Sequence, residues 1–148
     1  MRSYLAAALV GATLLAAPAL AENTVPSEQL QEMLIKTALL TLNDADLTGN
    51  FVVLHDKLSK QLREKFTPDQ LKDGFKVFVE QRADWSIIAS LPPVATSKAT
   101  IDARGALLLR GYFDSKPNRL RYELDFVSSE GEWKPLMLSV NANPEGEK

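Results

Sequence analysis

The side chains able to do acid–base or metal chemistry are few in this chain, and they stand apart. There is one histidine, His55, and no cysteine. His55 stands beside Asp56 in the stretch GNFVVLHDKLSK, but neighbours on a helix point about 100° apart. Asp56 therefore cannot orient the ring as a catalytic base requires. A lone His flanking an apolar stripe reads first as a boundary or core residue and only second as a base. Two acids, Asp44 and Asp46, fall together in Asn43-Asp44-Ala45-Asp46. They invite a metal or proton-transfer reading, yet the simpler one is a turn or helix start, where such side chains cap backbone donors and meet solvent.

No N/S ligand set for zinc or iron can be assembled from one His and no Cys, and no DxDxDG-type calcium loop occurs. The G-x-S-x-G elbow, the GxxxxGK phosphate cradle and GxGxxG are all missing. The sequence thus assigns no catalytic residue, no metal and no cofactor. Nothing points to a serine nucleophile served by His55.

The elements that would position a site are easier to read. Pro26 or Ser27 opens a first helix, with Glu28 well placed against the helix dipole. Leu30, Met33, Leu34, Thr37, Ala38 and Thr41 form one helical stripe and Ile35, Leu39 and Leu42 a second, so this helix is buried on more than one side. A second helix runs from Thr48-Gly49-Asn50 to about Lys65, with Phe51, Leu54, Leu58, Leu62 and Phe66 on one face and a solvated charge run on the other. Thr67-Pro68-Asp69-Gln70 has the form of a capping box. It opens a third helix that turns Leu71, Phe75, Phe78 and Val79 inward, and Gly74 inside it implies close packing. Ser86 to Leu91 reads equally as strand or helical turn before Pro92-Pro93 breaks it. Val94 to Ile101 reads as an edge strand, and residues 102–105 as a turn.

The stretch from Gly105 to Val140 reads as a three-stranded antiparallel meander. Leu120, Tyr122, Leu124 and Phe126 alternate with Arg119, Arg121, Glu123 and Asp125, and a one-residue slip would send every apolar group to water. A loop over Asp114 to Pro117 pairs Leu107 with Leu124 and Leu109 with Tyr122, keeping Pro117 out of the ladder. A loop over Ser129-Glu130-Gly131 sets Leu136, Leu138 and Val140 opposite Leu124, Tyr122 and Leu120. The inner face is then apolar, with Phe113 added and Tyr122 as its one polar handle. The outer face mixes Leu108, Tyr112, Trp133 and Met137 with Arg110, Arg119, Arg121, Glu123 and Asp125. Aromatics, Met and arginines together are the composition of a protein contact. Leu108, Arg110, Tyr112, Arg121, Trp133 and Met137 are the interface candidates, for a homodimer through this face.

Residues 1–21 form a separate object. Arg2 precedes an uncharged apolar run from Leu5 to Ala17, and Pro18 precedes Ala19-Leu20-Ala21, so a secretory signal peptide cut after Ala21 is expected. The run falls short of the roughly 20 residues of a membrane span, and no Cys follows for lipid attachment. The expected mature chain has 148 − 21 = 127 residues, a size for one domain over residues 22–143 with a polar tail at 144–148. Losing Arg2 leaves 17 − 1 = 16 basic against 19 acidic residues, no surplus for nucleic acid. A chain without disulfides that is exported fits a bacterial periplasm.

Helices first and strands last is an α+β arrangement with helices on one face of the sheet. The segments GNFVVLHDKLSKQLREKFTPDQL and GALLLRGYFDSKPNRLRYELDFVSSEGEWKPLMLSV resemble an exported bacterial branch of the nuclear transport factor 2-like superfamily. The resemblance covers most of the mature chain through its pattern and the phrases KFTPDQL and GEWKP. It implies three helices on a curved sheet closing into a cone whose mouth can hold a small apolar molecule, and often a dimer through the sheet. The superfamily's isomerases, dehydratases and cyclases carry an Asp or Asp–His pair inside the cone. Here the inner face holds no carboxylate, so no functional residue carries over. The expectation is a small periplasmic binding or accessory module with Tyr122 and His55 as ligand-binding candidates. The alternative is an isomerase, dehydratase or hydrolase using His55 or Tyr122.

Overall fold

The computed structural model describes residues 24–142. The expected signal peptide (1–21) and polar tail (144–148) lie outside the described residues. Ser27 starts the first helix as expected, its hydroxyl accepting from Leu30 N–H, and α1 (Glu28–Thr48) runs until Gly49 takes a left-handed cap, φ 70°. Asn43 to Asp46 are inside this helix rather than at a turn, and Asn43 and Asp46 are buried. Tertiary contact overrides their capping preference. The Asn43 side chain accepts from Trp85 N–H at 2.8 Å, while Trp85 Nε1 donates to Leu39 O at 2.9 Å.

The expected second helix is two helices, α2 (Val52–Lys57) and α3 (Lys60–Lys65). Leu58 between them is extended, and Ser59 caps α3 through Leu62 N–H. The break occurs where the helix meets the sheet: Ser59 N–H donates to Pro135 O at 2.9 Å and Lys60 N–H to the Ser129 hydroxyl at 3.1 Å. A continuous helix would spend those donors internally.

The expected third helix likewise divides, into α4 (Pro68–Gly74) and α5 (Lys76–Gln81). The capping box is present in full, with Thr67 Oγ1 accepting from Gln70 N–H and Gln70 Oε1 from Thr67 N–H. Thr67→Ala should cost about 1 kcal/mol, measured by urea unfolding. Gly74 does not mark close packing: a Cβ there would meet nothing within 4 Å beyond its own helix, and it stands at the joint between the two helices. Ser86–Ser90 is a 3₁₀ turn that buries Ile88.

Five strands follow: β1 (Val94–Ala95), β2 (Thr100–Ile101), β3 (Leu107–Phe113), β4 (Leu120–Ser129) and β5 (Glu132–Asn141). The expected edge strand is only these two short pieces, both pairing with β3, and the sheet is antiparallel in the order β1-β3-β4-β5. In the first hairpin Leu107 pairs with Phe126, Leu109 with Leu124 and Phe113 with Leu120. This lies two residues from the expected register, with the loop at residues 114–119, so every side chain keeps its face. The observed register sets Gly111 against Tyr122. A Cβ at Gly111 would stand 2.5 Å from the Tyr122 hydroxyl oxygen and closer still to the Val94 carbonyl, so glycine is what lets the ring cross the strand.

The second hairpin corrects the expectation more deeply. Its turn is Glu130-Gly131, both at positive φ (56° and 83°), the primed two-residue geometry. By itself that turn would put Met137 and Ser139 inward. A β-bulge between Asp125 and Phe126 restores the phase: Phe126 pairs with Pro135, Asp125 with Met137 and Leu124 with Leu138. Leu136 is the extra residue and is not in the core, whereas Leu138 and Val140 pack against it. Before the bulge the faces exchange. Trp133, opposite Ser128, and buried Pro135 therefore turn inward, and Trp133 packs on the core rather than on the outer face.

Leu39, Leu42, Leu54, Leu58, Ile88, Leu107, Leu124 and Phe126 form the centre of one apolar cluster between the helices and the sheet. The described residues form an α+β fold with five α-helices and a five-stranded antiparallel sheet that does not close on itself.

Candidate functional site

Both stripes of α1 reach the core, Ile35, Leu39 and Leu42 from one and Leu34 and Ala38 from the other. Leu30, Met33, Leu34, Thr37, Ala38 and Thr41 line a groove of about 510 Å³ between α1 and the β4–β5 hairpin. Phe126, Trp133 and Pro135 form the opposite wall, and Leu54, Asp56, Lys57, Glu132 and Lys134 also line it. Met33 is 54 % exposed, a large apolar side chain left to solvent on a helix that has already filled its core positions.

The wall owes its shape to the hairpin. The bulge turns Trp133 and Pro135 toward α1, and Ser59 anchors Pro135 from α3. The charges are mixed: Lys57 Nζ reaches Thr41 Oγ1 at 3.5 Å, and Lys134 Nζ lies 3.7 Å from Glu130. Arg63 also bonds Glu130, holding its carboxyl below the usual range. The groove can therefore bury an apolar body without favouring a charged head.

Tyr122 is elsewhere. It is buried, its ring 5.7 Å from that of Phe113, and it reaches a second groove of about 410 Å³ between the start of α1 and residues 92–99. Burial pushes its phenol up to about 12, the wrong direction for a base near neutrality.

His55 is committed to structure. Its Nε2 lies 2.8 Å from Phe66 O and 3.2 Å from Arg63 O, and carbonyls only accept, so Nε2 carries the proton. The ring ties α2 to the end of α3. Asp56 comes within 3.7 Å of Nδ1 although it is the adjacent residue, beyond hydrogen-bond reach. Neither groove is lined by both His55 and Tyr122. Among the described residues no group of three or more His, Asp or Glu converges as a metal site.

The outer sheet face holds Leu108, Arg110, Tyr112, Arg121 and Met137 as expected, and Trp133 is absent from it. Asp125 at its centre is buried and clamped by Arg110 (2.8 Å) and Arg104 (3.2 Å). Arg110 also donates to Leu109 O and Leu124 O. Arg104 in turn holds the carboxyl of Asp102 below its usual range, and Asp102 raises the Arg104 guanidinium. The guanidinium of Arg119 lies 4.1 Å from the centre of the Tyr112 ring. Leu108, Tyr112 and Met137 are half-buried, with Leu108 and Met137 flanking Asp125 across the strands.

Among the described residues Asp46 is the one acid whose buried oxygens are left unsatisfied. It is 2 % exposed, neither carboxylate oxygen has a hydrogen-bond partner among the described residues, and burial raises its pKa to about 7. It lines neither groove.

Comparisons with protein-family models, with curated proteins and with solved structures return no match. Among the described residues no helix is long and apolar enough to cross a membrane.

Proposed function

We propose that this protein is a binding module that takes an uncharged, largely apolar molecule into the groove between α1 and the β4–β5 hairpin. The observation that carries the reading is the first stripe of α1. Leu30, Met33 and Thr37 face Trp133 and Pro135 across about 510 Å³, within the usual size of small-molecule sites. The carboxylates at the groove, Asp56 and Glu132, are joined there by no histidine, and no metal cluster forms among the described residues, so the reading is binding without catalysis. The export pattern of residues 1–21 supports a periplasmic place of work. Helices covering one face of an open antiparallel sheet support a nuclear transport factor 2-like scaffold, with the groove at the mouth of its cone.

A partner on the outer sheet face is the weaker reading. Asp125 is spent on Arg110 and Arg104, and Arg119 on Tyr112 and Asp114, which leaves Arg121 and Glu123 as the exposed charges of that face.

The test is a titration with N-phenyl-1-naphthylamine, an uncharged fluorescent probe. Its emission should rise on binding, with energy transfer from Trp133. Thr37 is exposed, so Thr37→Trp fills the groove without entering the core and should weaken binding by about tenfold or more. Absence of binding, or a T37W titration identical to the parent's, would reject the groove.

A further inference from the structure

We infer that the free edge of β5 pairs with β5 of a second copy of this chain, antiparallel about a two-fold axis at Ser139. The two edges of the sheet are treated differently. On one side β3 is covered by β1 and β2. On the other, β5 pairs with β4 alone among the described residues.

The first half of β5 carries the devices that block edge pairing. Lys134 supplies a charge, Pro135 lacks a donor and gives its carbonyl to Ser59, and the bulge follows at Leu136. The second half, Met137-Leu138-Ser139-Val140-Asn141, has no charge, no proline and no bulge.

Ladder alternation identifies the groups left over. The Pro135 carbonyl points away from β4, so Phe126–Pro135 is a non-hydrogen-bonded pair, and Asp125 on β4 is the next residue that faces β5. Asp125 pairs with Met137, which leaves the N–H and C=O of Leu138 and Val140 pointing outward. No hydrogen bond to these groups from any described residue is present.

An extended backbone is the partner that satisfies such a row of donors and acceptors. A second copy fits because the segment is its own complement. With the axis at Ser139, Leu138 meets Val140 of the second copy, each giving its N–H to the other's C=O. Ser139 faces Ser139 and Met137 faces Asn141, so no like charges are opposed. Leu138 and Val140 already pack on the core, and pairing carries that apolar surface across the seam. The buried area is modest, so the dimer should be concentration-dependent.

The experiment is sedimentation velocity on the mature chain, alone and with charge variants at the axis. The parent should pass from monomer to dimer across the micromolar range. Ser139→Lys and Ser139→Glu each oppose like charges and should weaken the dimer by about tenfold or more, while an equal mixture of S139K and S139E restores it. Far-UV circular dichroism checks that both variants fold. Amide exchange separates this edge from the sheet face: in the parent, the Leu138 and Val140 amides should gain protection as concentration rises. A parent that stays monomeric, a mixture that stays dissociated, or a dimer that leaves both amides unprotected would overturn the inference.

Discussion

Asp46→Asn should stabilise the protein by about 3 kcal/mol near pH 8 and change little near pH 4. The folded protein holds the Asp46 proton up to about pH 7 because burial penalises the carboxylate, whereas in the unfolded chain the same carboxyl loses it near the ordinary value of 3.8. Between those values the native state binds more protons than the unfolded state, so stability falls as pH rises, and above them the loss is complete. The full difference is about 4 kcal/mol at 1.4 kcal/mol per unit, less some relaxation of the site. An amide is isosteric with the protonated acid and never ionises, which removes the slope rather than shifting it. Urea unfolding at several pH values reads this directly, and parallel stability curves for parent and variant would contradict it.

Gly111→Ala should be the most damaging small substitution in the sheet, costing about 3 kcal/mol. The added methyl overlaps a backbone carbonyl on β1 and the Tyr122 hydroxyl on β4. Neither can retreat far, since Tyr122 is buried against Phe113 and Val94 is held in the β1–β3 ladder. Tyr122→Phe removes the hydroxyl but leaves the ring carbon that carried it 2.8 Å from the added methyl, so the double variant should recover only part of the cost, about 1 kcal/mol relative to the sum of the single ones. Strict additivity in denaturant unfolding would mean that the hydroxyl does not lie over the glycine.

The faces of the sheet were legible in the sequence wherever alternation alone decides them. Leu107, Leu109, Phe113, Leu120, Tyr122, Leu124 and Phe126 are all buried where their period of two places them, even though the first hairpin pairs two residues away from the expected register. Alternation fails at Leu136. A bulge changes the phase of a strand without any residue type announcing it, so unbroken alternation assigns Trp133 to the wrong face. The helix breaks at Ser59 and Phe75 were hidden too, since the apolar stripe Phe51-Leu54-Leu58-Leu62 runs through the first break unchanged. Ser59 leaves the helix for a hydrogen bond to Pro135, a partner far away in sequence.

The groove had a visible sign. A helix with two apolar stripes has more than a single core face requires, and on the first stripe of α1 Leu34 and Ala38 are buried while Leu30, Met33, Thr37 and Thr41 stay open to solvent along the groove. Asp46 had no such sign, because nothing local separates an acid that caps a helix from one buried inside it.

Methionine provides the most direct test of the groove. Met33 lies in it and Met137 lies on the outer sheet face, so their methyl groups report on the two surfaces separately. In a spectrum of residues 22–148 labelled with ¹³C at the methionine methyls, adding N-phenyl-1-naphthylamine at fixed protein concentration should move the Met33 resonance progressively to saturation and leave Met137 in place. A shift confined to Met137, or no shift at either methyl, would contradict a binding site between α1 and the β4–β5 hairpin.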